Sequence, residues 1–163
     1  MTAIWTQPRS WSVGELTTAS LMNQHLRDNL DWLKTPPQGV YTAPTSIVIT
    51  STTMVDILSP ITITSAGGAF LVGLQACLSC SAASVAITFD LLVDGVSQGG
   101  SSGICSFNGT GTGTLFNPSL VFYVSPKTAG SHTFKLRALV SSGSATIYAT
   151  SAGVNAQFWV REI

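Results

Sequence analysis

The chain has 163 residues, of which 45% are hydrophobic and only 9% charged, and its formal net charge is zero. That length accommodates one compact domain plus an appendage, and without a basic excess no cationic face is expected for nucleic acid. Apolar runs such as Ala69–Leu74 are too short to span a bilayer, so neither nucleic acid nor membrane is an expected partner.

Soluble domains ordinarily carry roughly 25% charged residues. Here residues 57–89 contain no charged side chain, and neither do residues 95–126. In a monomer such stretches promote aggregation. An obligate oligomer tolerates them, because its interfaces resemble a domain core cut in half. The opening residues from Met1 to Ser10 lack a charged start followed by an apolar core, so no export signal is read. The three cysteines, Cys77, Cys80 and Cys105, cannot all pair within one chain, and free thiols in a cytosol-made chain are expected.

In chain order, residues 1–15 read as an extended arm carrying Trp5 and Trp11, with Pro8 discouraging helix. A helix is predicted from Thr18, whose hydroxyl can accept from an orphan backbone N–H. Met22, Leu26, Leu30 and Leu33 then follow on one apolar stripe of a 3.6-residue period. Thr35-Pro36-Pro37 ends it, because a residue preceding proline avoids the α region. About four turns are marginal in isolation, so the stripe needs a surface: its own sandwich, sister helices or a foreign protein.

From Tyr41 onward the pattern is β. Short β-branched runs occupy Ser46–Thr50, Met54–Leu58 and Ile61–Thr64. Longer ones occupy Ala69–Ser79, Val85–Val93, Leu115–Val124, Ser131–Val140, Ala145–Thr150 and Ala156–Glu162. Asp94-Gly95 reads as a hairpin turn of the primed type, and Ser97–Thr114 as a long Gly/Ser/Thr-rich loop and candidate contact surface. The expected fold is mainly β: an antiparallel β-sandwich of jelly-roll type with eight or nine strands, preceded by an arm and one short α-helix. The division is residues 1–40 for the arm and helix and residues 41–163 for the sandwich.

No residue constellation points to chemistry. Cys77-Leu-Ser-Cys80 has CxxC spacing, but on a strand its two side chains face opposite ways, and small buried residues are the better account. Asp56, Asp90 and Asp94 read as solvated turn residues, for lack of a shared cleft. His132 follows Ser131 but faces away from it, and His25 reads as a polar helix residue. Gly109-Thr-Gly-Thr-Gly113 lacks the lysine and helix of a phosphate-binding loop. Asn108-Gly-Thr110 is a chance match to a glycosylation pattern. Trp159 could stack on a sugar, but a sheet-face or interface position is the more usual use of tryptophan. No enzyme activity, cofactor or metal is expected.

The segment from Trp11 to Lys34 resembles one found at the start of small virion proteins of tailed phages. The match rests on Trp11, Gly14, Glu15, Thr18, Ala19, Asn23, His25, Arg27, Asp28, Asn29 and Leu33. The β-part is similar to trimeric jelly rolls of the tumour-necrosis-factor and C1q type, through Gly68-Ala-Phe-Leu-Val72, Leu92-Val-Asp-Gly95, Ala129-Gly-Ser-His-Thr-Phe134 and the terminal Phe158–Ile163. The resemblance implies a virion component assembled in the bacterial host cytoplasm, whose N-terminal segment docks while the sandwich projects. The expected function is a homotrimeric capsid decoration protein, with the major capsid protein or another virion protein as partner. A tail-fibre or tail-tip receptor-binding protein is the alternative, and a carbohydrate-binding module a more distant one. Residues expected to dock on the particle are Trp5, Trp11, Met22, Leu26, Leu30 and Trp32.

Overall fold

The computed structural model describes residues 5–149 and 155–163. The expected arm residues 1–4 and the end of the Ala145–Thr150 run lie outside them. Among the described residues thirteen strands form the body. They are β1 (Gln38–Thr42), β2 (Ile47–Ile49), β3 (Val55–Asp56), β4 (Ile61–Ser65), β5 (Phe70–Gln75), β6 (Cys77–Cys80) and β7 (Ala86–Val93). After these come β8 (Val96–Ser97), β9 (Cys105–Asn108), β10 (Ser119–Val124), β11 (Gly130–Val140), β12 (Ala145–Tyr148) and β13 (Gln157–Glu162).

One sheet runs β1-β13-β5-β10 and a shorter one β2-β12-β6. The opposing sheet runs β3-β11-β7-β8, with β4 also pairing β11 and β9 also pairing β7. Among the described residues all pairings between these strands are antiparallel. The fold is therefore the expected mainly-β antiparallel sandwich. It has more strands than eight or nine because several predicted runs change partners or begin elsewhere.

Ala69–Ser79 shows how. Its alternation never breaks: Phe70, Val72, Leu74, Ala76, Leu78 and Cys80 all belong to the core. Hydrogen-bonding partners change at Ala76, from β13 and β10 to β12, so one apolar run serves two sheets. Strand pairing also starts at Gln38, where β1 lies along β13. The predicted loop 97–114 is partly strand, since β9 continues the β7 ladder from Cys105 to Asn108. The Asp94-Gly95 hairpin forms as read, with φ of 53° and 81°, the left-handed pair that a type I′ turn requires.

The core is one contiguous apolar cluster. Phe89, Leu91, Phe134, Leu136, Ala138, Val140 and Phe158 are wholly inaccessible. Its residues run from Ala43 to Val160 and include none from the arm or helix. Two carboxylates are also fully buried, and both correct or extend the sequence reading. Asp90 was expected in solvent. It lies inside, accepting from Ser97 Oγ at 2.7 Å and Gly99 N–H at 2.9 Å, which pins the loop after β8. Glu162 accepts from Ser65 Oγ at 2.7 Å and from the backbone N–H groups of Ala66, Gly67 and Gly68. It thereby ties the last strand to the β4–β5 turn. Both satisfy the rule that a buried charge needs hydrogen-bond partners.

Candidate docking surface

The helical segment runs from Ala19 to Lys34 in three pieces: α1 (Ala19–Met22), a π-turn (Asn23–Arg27) and α2 (Asp28–Lys34). Thr18 caps it as read, its hydroxyl accepting from Leu21 N–H at 3.3 Å. At the far end Thr35 bonds back to the Asp31 carbonyl through both N–H and Oγ1, at 2.9 Å each. The π-turn is marked by the Asp28 N–H donating to the Asn23 carbonyl, five residues back. In a regular α-helix a four-residue step overshoots one turn by about 40°. A π-turn holds more residues per turn and so offsets that excess over Asn23–Arg27.

The arm folds back along this helix. Asn29, buried, holds Thr6 by two bonds: its Oδ1 accepts from the Thr6 N–H at 2.9 Å and its Nδ2 donates to the Thr6 carbonyl at 2.7 Å. Trp5 packs on Trp32, ring centroids 5.4 Å apart, and Trp11 meets His25 edge-on at 6.4 Å. Gly14, at φ 81°, makes the turn that returns the chain. Glu15 accepts from Ser12 N–H at 3.1 Å and pairs with Arg9, whose guanidinium lies 4.9 Å from the Trp11 ring. Of the residues that carried the phage-virion resemblance, Asn29 and His25 meet the arm at Thr6 and Trp11, Gly14 and Glu15 shape the arm itself, and Thr18 caps the helix.

The predicted docking residues divide in two. Trp5 and Trp32 are engaged with each other, and Trp32 is buried. Trp11, Met22, Leu26 and Leu30 are exposed by 45%, 42%, 51% and 58%, and Leu33 beside them by 57%. The stripe therefore has no cover from its own sandwich. Between arm and helix opens a cleft of about 260 Å³, lined by Pro8, Trp11, Leu21, Met22, His25 and Leu26. Among the described residues, His25 Nδ1 and Trp32 Nε1 are buried without a hydrogen-bond partner, a cost seldom left unmet in a finished assembly.

Other ionisable groups lie on the sandwich. His132 Nδ1 lies 2.7 Å from Asp94 Oδ2, and Nε2 lies 2.8 Å from the Thr128 carbonyl. Two acceptors favour the doubly protonated ring: the Thr128 carbonyl and then the Asp94 carboxylate push His132 above its ordinary pKa. Burial would raise the Asp94 carboxyl, but the Thr133 N–H and His132 outweigh it and hold the group below the usual value. Asp56 stays at the surface, 3.0 Å from Lys135 Nζ. Cys80 faces the core and Cys77 the other side of the strand. Burial pushes the Cys80 and Cys105 thiols up, against thiolate chemistry. Among the described residues no group of three or more His, Cys, Asp or Glu is placed to hold a metal, and no helix is long and apolar enough to cross a membrane.

No protein-family model matches the chain, and no curated protein matches it. Solved structures similar to it include infectious bursal disease virus, strain Gx, at 14% identity and TM-score 0.46, covering 77% of this chain and 36% of that one. A second is TmCBM61 in complex with β-1,4-galactotriose, at 12% identity and TM-score 0.37, covering 78% and 90%. A third is the D431N mutant VP2 protein of infectious bursal disease virus, at 15% identity and TM-score 0.31, covering 78% and 36%. The chain spans about a third of the length of the viral chains it matches. These are likenesses at low identity, and they concern the fold alone.

Proposed function

We propose that this chain is a structural, non-enzymatic component of a tailed-phage particle: a homotrimeric capsid decoration protein whose arm and helix seat on the shell while the sandwich projects. The observation that carries this reading is the uncovered apolar surface of the N-terminal unit, formed by Trp11, Met22, Leu26, Leu30 and Leu33. The internal bonds Trp5–Trp32 and Thr6–Asn29 hold that surface in shape. A preformed surface loses less conformational entropy on binding than a loose tail would.

Stabilisation of a shell in this way needs buried area alone. Apolar burial contributes about 25 cal/mol per Å² before association costs, and many copies on one shell add their effects. The absence of charge over residues 57–89 and 95–126 favours lateral contact between sandwiches, and the resemblance to trimeric jelly rolls implies three of them. A non-catalytic role accords with the bonding of His132, whose two ring nitrogens are engaged by Asp94 and the Thr128 carbonyl within the chain itself.

Deletion of residues 1–34 tests the proposal. β1 starts at Gln38 and no core residue precedes Ala43, so the truncated chain should fold and stay trimeric by light scattering. It should no longer co-sediment with phage heads. Full occupancy of heads by the truncated chain would refute the docking role. Immunogold labelling of intact particles reports the location: label on heads fits decoration, and label confined to tail ends fits the fibre alternative.

A further inference from the structure

The outer face of the sheet β1-β13-β5-β10 carries a feature that docking does not use. Its middle row, read across the strands, is Val40, Trp159, Gly73 and Val121. The Trp159 indole lies across Gly73: a Cβ built there would sit 2.2 Å from ring carbons Cε2 and Cζ2 and 2.5 Å from Nε1. Any other residue at position 73 would lift the ring. Glycine weakens a strand interior, and here its effect is to let a large aromatic ring lie down on the sheet. One ring face rests on backbone and Trp159 stays half-buried.

Beside the ring an open cleft of about 730 Å³ runs to where the run Phe70–Cys80 changes sheets at Ala76. That volume falls in the range of small-molecule sites, about 300–1,000 Å³. Its polar walls are Gln75, Asn117, Ser119 and Asn155, and no Asp, Glu, His, Lys or Arg is among its lining residues. The amides each supply both donors and acceptors, and the hydroxyl does the same. Arg161, two residues along β13 from Trp159, is exposed and does not line the cleft. A flat indole offers its π-face to the axial C–H groups of a pyranose ring, and amides match its hydroxyls in either direction. Without a cation in the lining, a phosphate or carboxylate would lose its water with no compensating charge.

We propose that Trp159 and the adjoining cleft bind a neutral oligosaccharide, with the sugar ring stacked on the indole and its hydroxyls bonded by Gln75, Asn117, Ser119 and Asn155. The site lies on the sandwich, apart from residues 5–34, so it stands or falls separately from the docking surface.

The test uses the full chain on an array of neutral oligomers of glucose, galactose, mannose and N-acetylglucosamine, with sialylated and sulfated oligomers alongside. Hits are followed by the Trp159 indole N–H resonance, assigned with Trp159→Phe. The expected result is binding of at least one neutral oligomer with a shift of that resonance. Trp159→Ala and Gly73→Val should each weaken binding about tenfold or more. Trp159→Phe, which keeps a ring, should retain part of it and guards against a variant that merely misfolds. Three results overturn the proposal: no neutral oligomer moving the Trp159 resonance, a preference for the acidic oligomers, or Trp159→Ala dissociating the oligomer, which would place this face between subunits.

Discussion

The two regions of this molecule handle apolar side chains in opposite ways. The sandwich turns them inward: Phe70, Phe89, Phe134 and Phe158 have no accessible surface, and even its two enclosed carboxylates are fully bonded. The N-terminal unit turns them outward, spending hydrogen bonds and two tryptophans on holding an arm against a helix whose leucines remain in solvent. One region encloses a full core within its own chain, although Val48, Val121 and Tyr123 stay exposed on its faces. The other leaves its apolar stripe in solvent, which is what the proposed docking role rests on. That difference teaches where stability and where binding should respond to mutation.

The largest effect on folding is expected in the sandwich. Glu162→Ala leaves the N–H groups of Ala66, Gly67 and Gly68 and the Ser65 hydroxyl without their shared acceptor. Stranding buried donors of a charged acceptor should cost about 2–4 kcal/mol, read as a lower midpoint in urea. An unchanged midpoint would show that the turn can find water or another acceptor, and would weaken the claim that the sandwich is self-sufficient.

A smaller, pH-dependent effect is expected at the sandwich edge. His132 is raised above 6.5 in the folded chain, so its contribution is complete below that value and fades as pH climbs through the folded pKa. Asp94 is lowered below 3.8, so its contribution holds above that value and is lost as pH falls through the folded pKa. The pair is therefore most favourable between 3.8 and 6.5. The gap in melting temperature between the native chain and His132→Asn should be widest between pH 3.8 and 6.5 and narrow as pH climbs through the raised His132 pKa. Because the Asp94 side chain is 43% exposed, that gap should be only about 2 °C. A gap independent of pH would mean that the ring matters by packing on Phe70 rather than by charge.

The smallest effect on folding is expected where the effect on attachment is greatest. Leu26→Glu with Leu30→Glu changes two exposed side chains, and such surface changes stay within about 0.5 kcal/mol. Head binding, measured by co-sedimentation, should nevertheless be abolished. Retained binding would move the contact elsewhere and erase the contrast between the two regions.

The sequence by itself determined whatever depends on near neighbours. Thr18 caps and Pro36 stops the helix because hydroxyl reach and proline sterics act within a few residues. The even-numbered residues from Phe70 to Cys80 share a face because strand period is a local property, and Asp94-Gly95 turns because those residues tolerate positive φ. Only the tertiary structure decided which segment covers which. Asp90 looked like a solvated carboxylate until the β8 loop closed over it, and Glu162 gave no local sign of the turn it binds, nearly a hundred residues earlier. The arm closing on Asn29 but not over Leu26, and an indole lying on Gly73, are likewise long-range events. Periodicity tells which way a side chain points; what it meets there depends on chain segments remote in sequence.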